Sequence, residues 1–160
     1  MTPRLVVDAS VAAKWFLKDA TEEDVILAEN ILQSSLDGNL ELHAPHIFRT
    51  EVCGILARAC LTRFHRGSPP RLRKEQAQRH IRTLFALPIR LDGERLAGSV
   101  EAFDFAVDYS KGYYDMTYLR LAEALNCQWC TADARVLAPT RTGFPTHCVL
   151  LLSSLRVEAT

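Results

Sequence analysis

The sequence predicts an α/β fold, a three-layer α/β/α sandwich around a mostly parallel sheet, with residues 1–160 forming one domain. Three observations carry this expectation. Short apolar runs of strand length alternate with longer segments of helical periodicity, the pattern that parallel strands joined by crossover helices produce. The first run, Leu5-Val6-Val7, is continuous rather than alternating, as in a strand buried on both faces. The chain length of 160 residues and its 48% hydrophobic content suit a single full core.

Taken in order, the first strand stops at Asp8, and Ser10 stands where an N-cap belongs, ahead of a helix over Val11 to Leu17. A second helix is expected from about Glu22 to Leu36. Val25, Ala28, Ile31, Leu32 and Leu36 share its inner face, and Glu22, Glu23 and Asp24 occupy the first turn, where acids suit the helix dipole. Asp37-Gly38 marks a turn. Leu40 to Ala44 reads as a strand closed by Pro45, followed by a long helix from about Ile47 to Phe64. Gly67-Ser68-Pro69-Pro70 reads as a loop. A helix over Lys74 to Leu87 ends at Pro88, Ile89 to Leu91 is a strand, and Arg95 to Tyr109 is helical again.

The stretch Tyr113 to Arg135 organises the rest. From Asp115 to about Asn126, Met116, Leu119, Ala122 and Leu125 recur at helical spacing, with Tyr118 and Leu121 widening the face. Gln128 to Thr131 then reads as a buried strand. About eleven helical residues span roughly 17 Å, and five strand residues return about the same distance. That geometry brings Asp133 level with Asp115. A short turn over Arg135 to Leu137 and a last strand over Cys148 to Leu152 complete the chain.

In an open parallel sheet, ligands bind beyond the carboxyl ends of the strands. Asp8 and Asp133 each follow a predicted strand, Glu51 lies one turn into the helix after the second strand, and Asp115 opens its own helix. Four acids from distant segments therefore converge on one rim. Clustered carboxylates disfavour one another's charge unless a cation sits among them. With no histidine or cysteine in the set, hard ions such as Mg²⁺ or Mn²⁺ suit them best. An ion held this way activates water and stabilises a leaving oxygen in phosphodiester cleavage. The plainer reading of any one of them, Asp115 above all, is a helix cap or a solvated surface acid.

Formal net charge is zero, so no global charge points to a nucleic-acid partner. The distribution differs: Arg58 to Arg82 holds Arg58, Arg63, Arg66, Arg71, Arg73, Lys74, Arg79 and Arg82 against Glu75 alone. Such a segment can guide a nucleic-acid backbone to the rim, with Arg71, Arg73 and Lys74 as the first candidates; the plain alternative is a solvated face of two helices. No run approaches a membrane span. Five cysteines with no export signal favour reduced thiols and a cytoplasmic setting.

Residues already quoted carry a family likeness. Val6-Val7-Asp8-Ala9-Ser10 with Lys14-Trp15, Arg49-Thr50-Glu51-Val52, Tyr114-Asp115-Met116-Thr117-Tyr118-Leu119 with Leu121-Ala122-Glu123, and Thr131-Ala132-Asp133-Ala134-Arg135 resemble the successive motifs of the PIN-domain family. Among its members, the likeness is to the VapC toxins of toxin–antitoxin pairs. The resemblance covers nearly the whole chain, and its two C-terminal motifs are the most specific part. It implies a Mg²⁺- or Mn²⁺-dependent ribonuclease, a homodimer, and inhibition by a small antitoxin protein encoded alongside. By position, Asp8, Glu51, Asp115 and Asp133 match the acidic quartet, and Ser10 and Thr131 match small hydroxyl residues beside it. The Phe64 to Lys74 segment departs from the pattern in being longer and more basic.

Several residues keep two readings. Thr131 either orients water at the ion or is a β-branched strand residue, and Arg135 either touches a substrate phosphate or forms a surface ion pair. Cys127-x-x-Cys130, Cys53 and Cys60 are expected as core thiols, and His43 and His46 as loop packing around Pro45. Two rivals to the nuclease remain at this stage: a PIN-like module that binds RNA or protein without cutting, and an α/β phosphatase or receiver phosphorylated on Asp8. The phosphatase usually has a second Asp two residues on, where this chain has Ser10.

Overall fold

A computed structural model describes residues 2–19, 22–61, 69–138 and 141–155. Its sheet contains β1 (Arg4–Val7), β2 (Glu41–Pro45), β3 (Ile89–Asp92), β4 (Gln128–Thr131) and β5 (Val149–Leu151). The spatial order is β3-β2-β1-β4-β5, and all four pairings are parallel. The continuous apolar run therefore sits where its pattern demands, at the centre, with Val6 and Val7 fully buried. Leu5 is registered against Leu42 on one side and Gln128 on the other.

Helices cover both faces. They are α1 (Ala9–Ala13), α2 (Val25–Leu36), α3 (Phe48–Cys60), α4 (Lys74–Ala86), α5 (Leu96–Tyr109) and α6 (Tyr113–Ala124). α6 lies against β1, β2 and β4 with α5 packed on it, while α1, α3 and α4 pack in succession. The short turns Ala134–Leu137, Thr146–Cys148 and Leu152–Ser154 are 3₁₀. Trp129, Tyr118 and Phe48 are the largest side chains wholly enclosed. No helix among the described residues is long and apolar enough to cross a membrane.

Three expectations change. The cap of α1 is Asp8, whose side chain accepts from the Ser10 amide at 2.7 Å; Ser10 is already inside the helix, and its hydroxyl is used elsewhere. α2 begins at Val25 rather than Glu22, because Asp24 takes a left-handed conformation (φ 55°). Glu22 is instead drawn into an ion-pair network with Lys14 (2.7 Å) and Arg71 (2.8 Å). α3 ends at Cys60, before the expected Phe64, with Leu61 already extended. Residues 62–68 lie outside the described residues, and with them Arg63, Arg66 and the Gly67-Ser68 half of the expected loop.

The turn from α6 to β4 explains how the two C-terminal acids are brought together. Asn126 takes φ 51°. The Cys127 amide bonds the Ala122 carbonyl and the Asn126 amide bonds that of Glu123, each at 3.0 Å. This is the paired closure of a Schellman motif, which stops the helix and reverses the chain at once. His43 lies within β2 rather than in a loop, its Nε2 3.5 Å from Glu41, while His46 follows the strand and faces Glu94 at 3.8 Å.

Candidate active site

From β1 the chain moves outward to β2 and β3, then returns to β4 beside β1 and continues to β5. The break between β1 and β4 is a topological switch point, where the loops leaving two adjacent strands part and open a crevice. Asp8 follows β1 and Asp133 follows β4 at this point. A groove there is lined by Asp8, Ser10, Glu51 and Asp133, with Thr50, Gly54, Arg58 and Tyr114 among its other walls. Asp115 sits in the first turn of α6, next to Tyr114.

Asp8 is almost enclosed, at 9% exposure. Its Oδ1 accepts from the Ser10 amide, and its Oδ2 accepts from the Trp129 indole at 3.0 Å. Burial pushes its pKa up, those hydrogen bonds oppose the shift, and the charge of Asp133 adds to it. Glu51 accepts from the Tyr118 hydroxyl at 2.5 Å. Its pKa is raised by burial first and then by the charges of Asp8 and Asp115, against the Tyr118 hydrogen bond. Asp115 is raised as well, through loss of solvent on its packed side and then the charges of Asp8 and Asp133. Mutual repulsion of this kind requires the acids to share one neighbourhood.

Asp133 behaves oppositely. Arg135 clasps both of its oxygens at 2.6–3.1 Å and holds its pKa down. Two hydroxyls secure the backbone beneath it. The Asp133 amide donates to Thr131 Oγ1 at 3.1 Å, the Ala132 amide donates to Ser10 Oγ at 3.0 Å, and the two oxygens lie 3.4 Å apart. Ser10 and Thr131 thus tie the start of α1 to the loop after β4, fixing Asp8 relative to Asp133.

Sequence reasoning passed over the two aromatic donors. Tyr118 was expected only to widen an apolar face, and Trp129 only to fill a strand. Their rings stack at 5.8 Å and 16°, and each gives its one polar hydrogen to a rim acid. A signal existed: a buried Tyr or Trp needs a partner for that hydrogen. Their partners, however, lie 67 and 121 residues away in sequence, beyond the reach of any local pattern.

The basic candidates separate. Arg71 is taken up by Asp19 (2.5 Å) and Glu22, and Arg73 and Lys74 stand exposed at the start of α4, outside the groove lining. Arg135 is at the groove and forms the ion pair that was one of its two readings. All five cysteines are unpaired; burial pushes the Cys130 thiol up to about 12.

An all-oxygen donor set whose members resist ionisation fits a hard divalent cation, which relieves the burial and repulsion that raise three of the four. Among the described residues no three acids are yet drawn to one ligating point. The reason is visible in their partners: Glu51 is turned to Tyr118 and Asp133 to Arg135. Asp8 accepts the helix-cap bond on one oxygen and the Trp129 indole on the other, and each oxygen keeps a lone pair for a cation.

The family model of the PIN domain matches residues 5–140. Ribonuclease VapC9 of Mycobacterium tuberculosis is 30% identical over 132 residues, covering 82% of this chain and 87% of that protein, and a VapC ribonuclease of Mycobacterium bovis matches to the same extent. Among solved structures, VapC20 of M. tuberculosis, described as a toxin that cleaves the sarcin–ricin loop, superposes with a TM-score of 0.59. That pair is 15% identical, over 86% of this chain and 96% of that one. The VapBC2 complex from Rickettsia felis, bound to a DNA fragment from its promoter, gives 0.60 at 12% identity over 92% and 98%. These last two are likenesses of fold.

Proposed function

Since the chain belongs to the PIN-domain family, as a ribonuclease of the VapC type, we propose that Asp8, Glu51, Asp115 and Asp133 hold a divalent cation, Mg²⁺ or Mn²⁺, for hydrolysis of RNA phosphodiester bonds. The observation that carries this reading is the meeting of four acids from four separate segments at the switch point, three of them with raised proton affinity. When bound, the cation supplies Lewis-acid activation of water and stabilisation of the departing oxygen. The chain's own residues do the rest. Trp129 and the Ser10 amide fix the Asp8 carboxylate. Tyr118 holds one oxygen of Glu51 and leaves the other free. Ser10 and Thr131 hold the loop that carries Asp133.

The remaining parts of the reading are a small antitoxin protein as partner, a cytoplasmic setting, and a homodimer. Toxin–antitoxin complexes among the structural neighbours support the first. For the dimer, α5 exposes Leu96, Val100, Phe103 and Val107. They form one exposed apolar stripe along the helix, a patch that a second copy could cover about a two-fold axis.

The Arg135 clasp on Asp133 favours one second reading, a chain that binds RNA without cutting it. A single assay decides. Purified protein incubated with a panel of RNAs and Mn²⁺ is expected to cleave at least one, to stop in EDTA, and to lose cleavage in Asp115→Asn. Binding without cleavage across the panel would leave the second reading standing.

A further inference from the structure

The groove at the acids also has walls that the proposed chemistry does not use. Arg58 on α3 and Tyr114 on α6 both line it. Arg58 follows Glu51 by seven residues on the same helix, roughly 10 Å along its axis. Its side chain runs back along α3 over Gly54, where a Cβ would meet Nη1 at 3.8 Å. The guanidinium is thus carried towards the acids rather than away from them.

What sets Arg58 apart from Arg135, the other arginine lining this groove, is that its guanidinium has no carboxylate partner among the described residues. Arg71 is neutralised by Asp19 and Glu22, and Arg135 by Asp133. Arg120 is paired with Asp92. The Arg58 carbonyl accepts from the Leu61 amide, but its guanidinium has neither a hydrogen bond nor an ion pair among the described residues, although it lines an acidic groove.

Tyr114 is the second such feature of the lining. The residue is 62% exposed. It is not loose, because Tyr113 packs edge-on against it at 6.0 Å and 65° and the Thr117 hydroxyl bonds its carbonyl at 2.6 Å. A braced, exposed aromatic and an unpaired guanidinium in the lining of one groove have the chemistry of single-strand nucleic-acid binding: a flat face for a base and a fork for a phosphate.

We propose that Arg58 and Tyr114 form a substrate track for single-stranded RNA, Arg58 binding a backbone phosphate next to the bond that is cut and Tyr114 stacking on a base. The track rests on the ribonuclease reading above and adds to it which side chains position the strand. It moves the principal phosphate contact from Arg71, Arg73 and Lys74, where the charge count puts it, to Arg58. Duplex RNA, whose bases are stacked on each other, does not use Tyr114.

The test is fluorescence anisotropy of a labelled single-stranded RNA on full-length protein in the Asp115→Asn background, which keeps the substrate whole. In that background Arg58→Ala is expected to weaken binding about tenfold and to reduce the slope of log affinity against log salt by about 0.7, one phosphate's worth on a single strand. Tyr114→Ala is expected to weaken binding about tenfold or more with the slope unchanged, and Tyr114→Phe to restore it. Arg71→Ala is expected to bind as the background does. Circular dichroism confirms that each variant is folded. Undiminished binding in both alanine variants, or a larger loss at Arg71 than at Arg58, overturns the track while leaving the ribonuclease reading intact. Absence of any RNA binding by the background protein, together with no cleavage by the unmodified chain, overturns both.

Discussion

Asp8 shows how much one side chain carries. It caps α1, receives the indole hydrogen of Trp129, and lies at the carboxyl end of the central strand. The acid was legible because it directly follows an apolar run. Its partners were not, because Trp129 comes from the far end of the sequence. Tyr118 offers the cleaner experiment, since Phe keeps the ring stacked on Trp129 and deletes only the donor to Glu51. Loss of a donor that orients a metal-holding side chain typically costs about 10–100-fold in metal affinity. Tyr118→Phe is therefore expected to weaken Mn²⁺ binding by about that factor, read by calorimetric titration of the metal-free protein. An unchanged affinity with an unchanged fold means that Tyr118 only packs.

At the scale of elements, the helix that stops and the strand that returns depend on Asn126. A left-handed conformation costs most residues roughly 1–2 kcal/mol, and Asn tolerates it better than they do. Asn126→Val is expected to lower stability by about that amount in denaturant melts, and Asn126→Gly to leave it nearly unchanged. Asn126 was readable as a stop because its residue type announces the conformation. The start of α2 was misread for the opposite reason. Three acids in a row look like a favourable first turn, and nothing local reveals that Glu22 belongs to Lys14 and Arg71. On α5, Phe103→Glu places a charge in the middle of the apolar stripe and is expected to convert the proposed dimer to monomer in sedimentation analysis. A monomeric unmodified chain at the same concentration removes the dimer from the account.

For the molecule as a whole, charges of opposite behaviour set the response to pH. Asp8, Glu51 and Asp115 have raised pKa values, so without a cation their ionisation destabilises the fold, and protonating them relieves it. Asp133 and Glu22 run the other way. The Arg135 hydrogen bonds lower Asp133; burial opposes the shift at Glu22, but hydrogen bonds from Lys14 and Arg71 outweigh it. The stability these two confer is present above the ordinary carboxylate range and lost as pH falls through their lowered values. In EDTA, acidification from neutrality is thus expected to raise Tm first and to lower it again below about pH 4. With saturating Mg²⁺ the initial rise is expected to vanish; a Tm that only falls on acidification in EDTA contradicts the shared rim.

The sheet order has a consequence for the making of the protein. β1 leaves the ribosome first, yet its neighbour β4 carries Trp129, 121 residues behind Asp8. At roughly 5–20 residues per second, the interval before both are available is about 6–24 s. Throughout that time the nascent polypeptide lacks at least one of its four rim acids, Asp133 being the last made. The order of the strands keeps the acidic rim incomplete until β4 and the loop after it have been made.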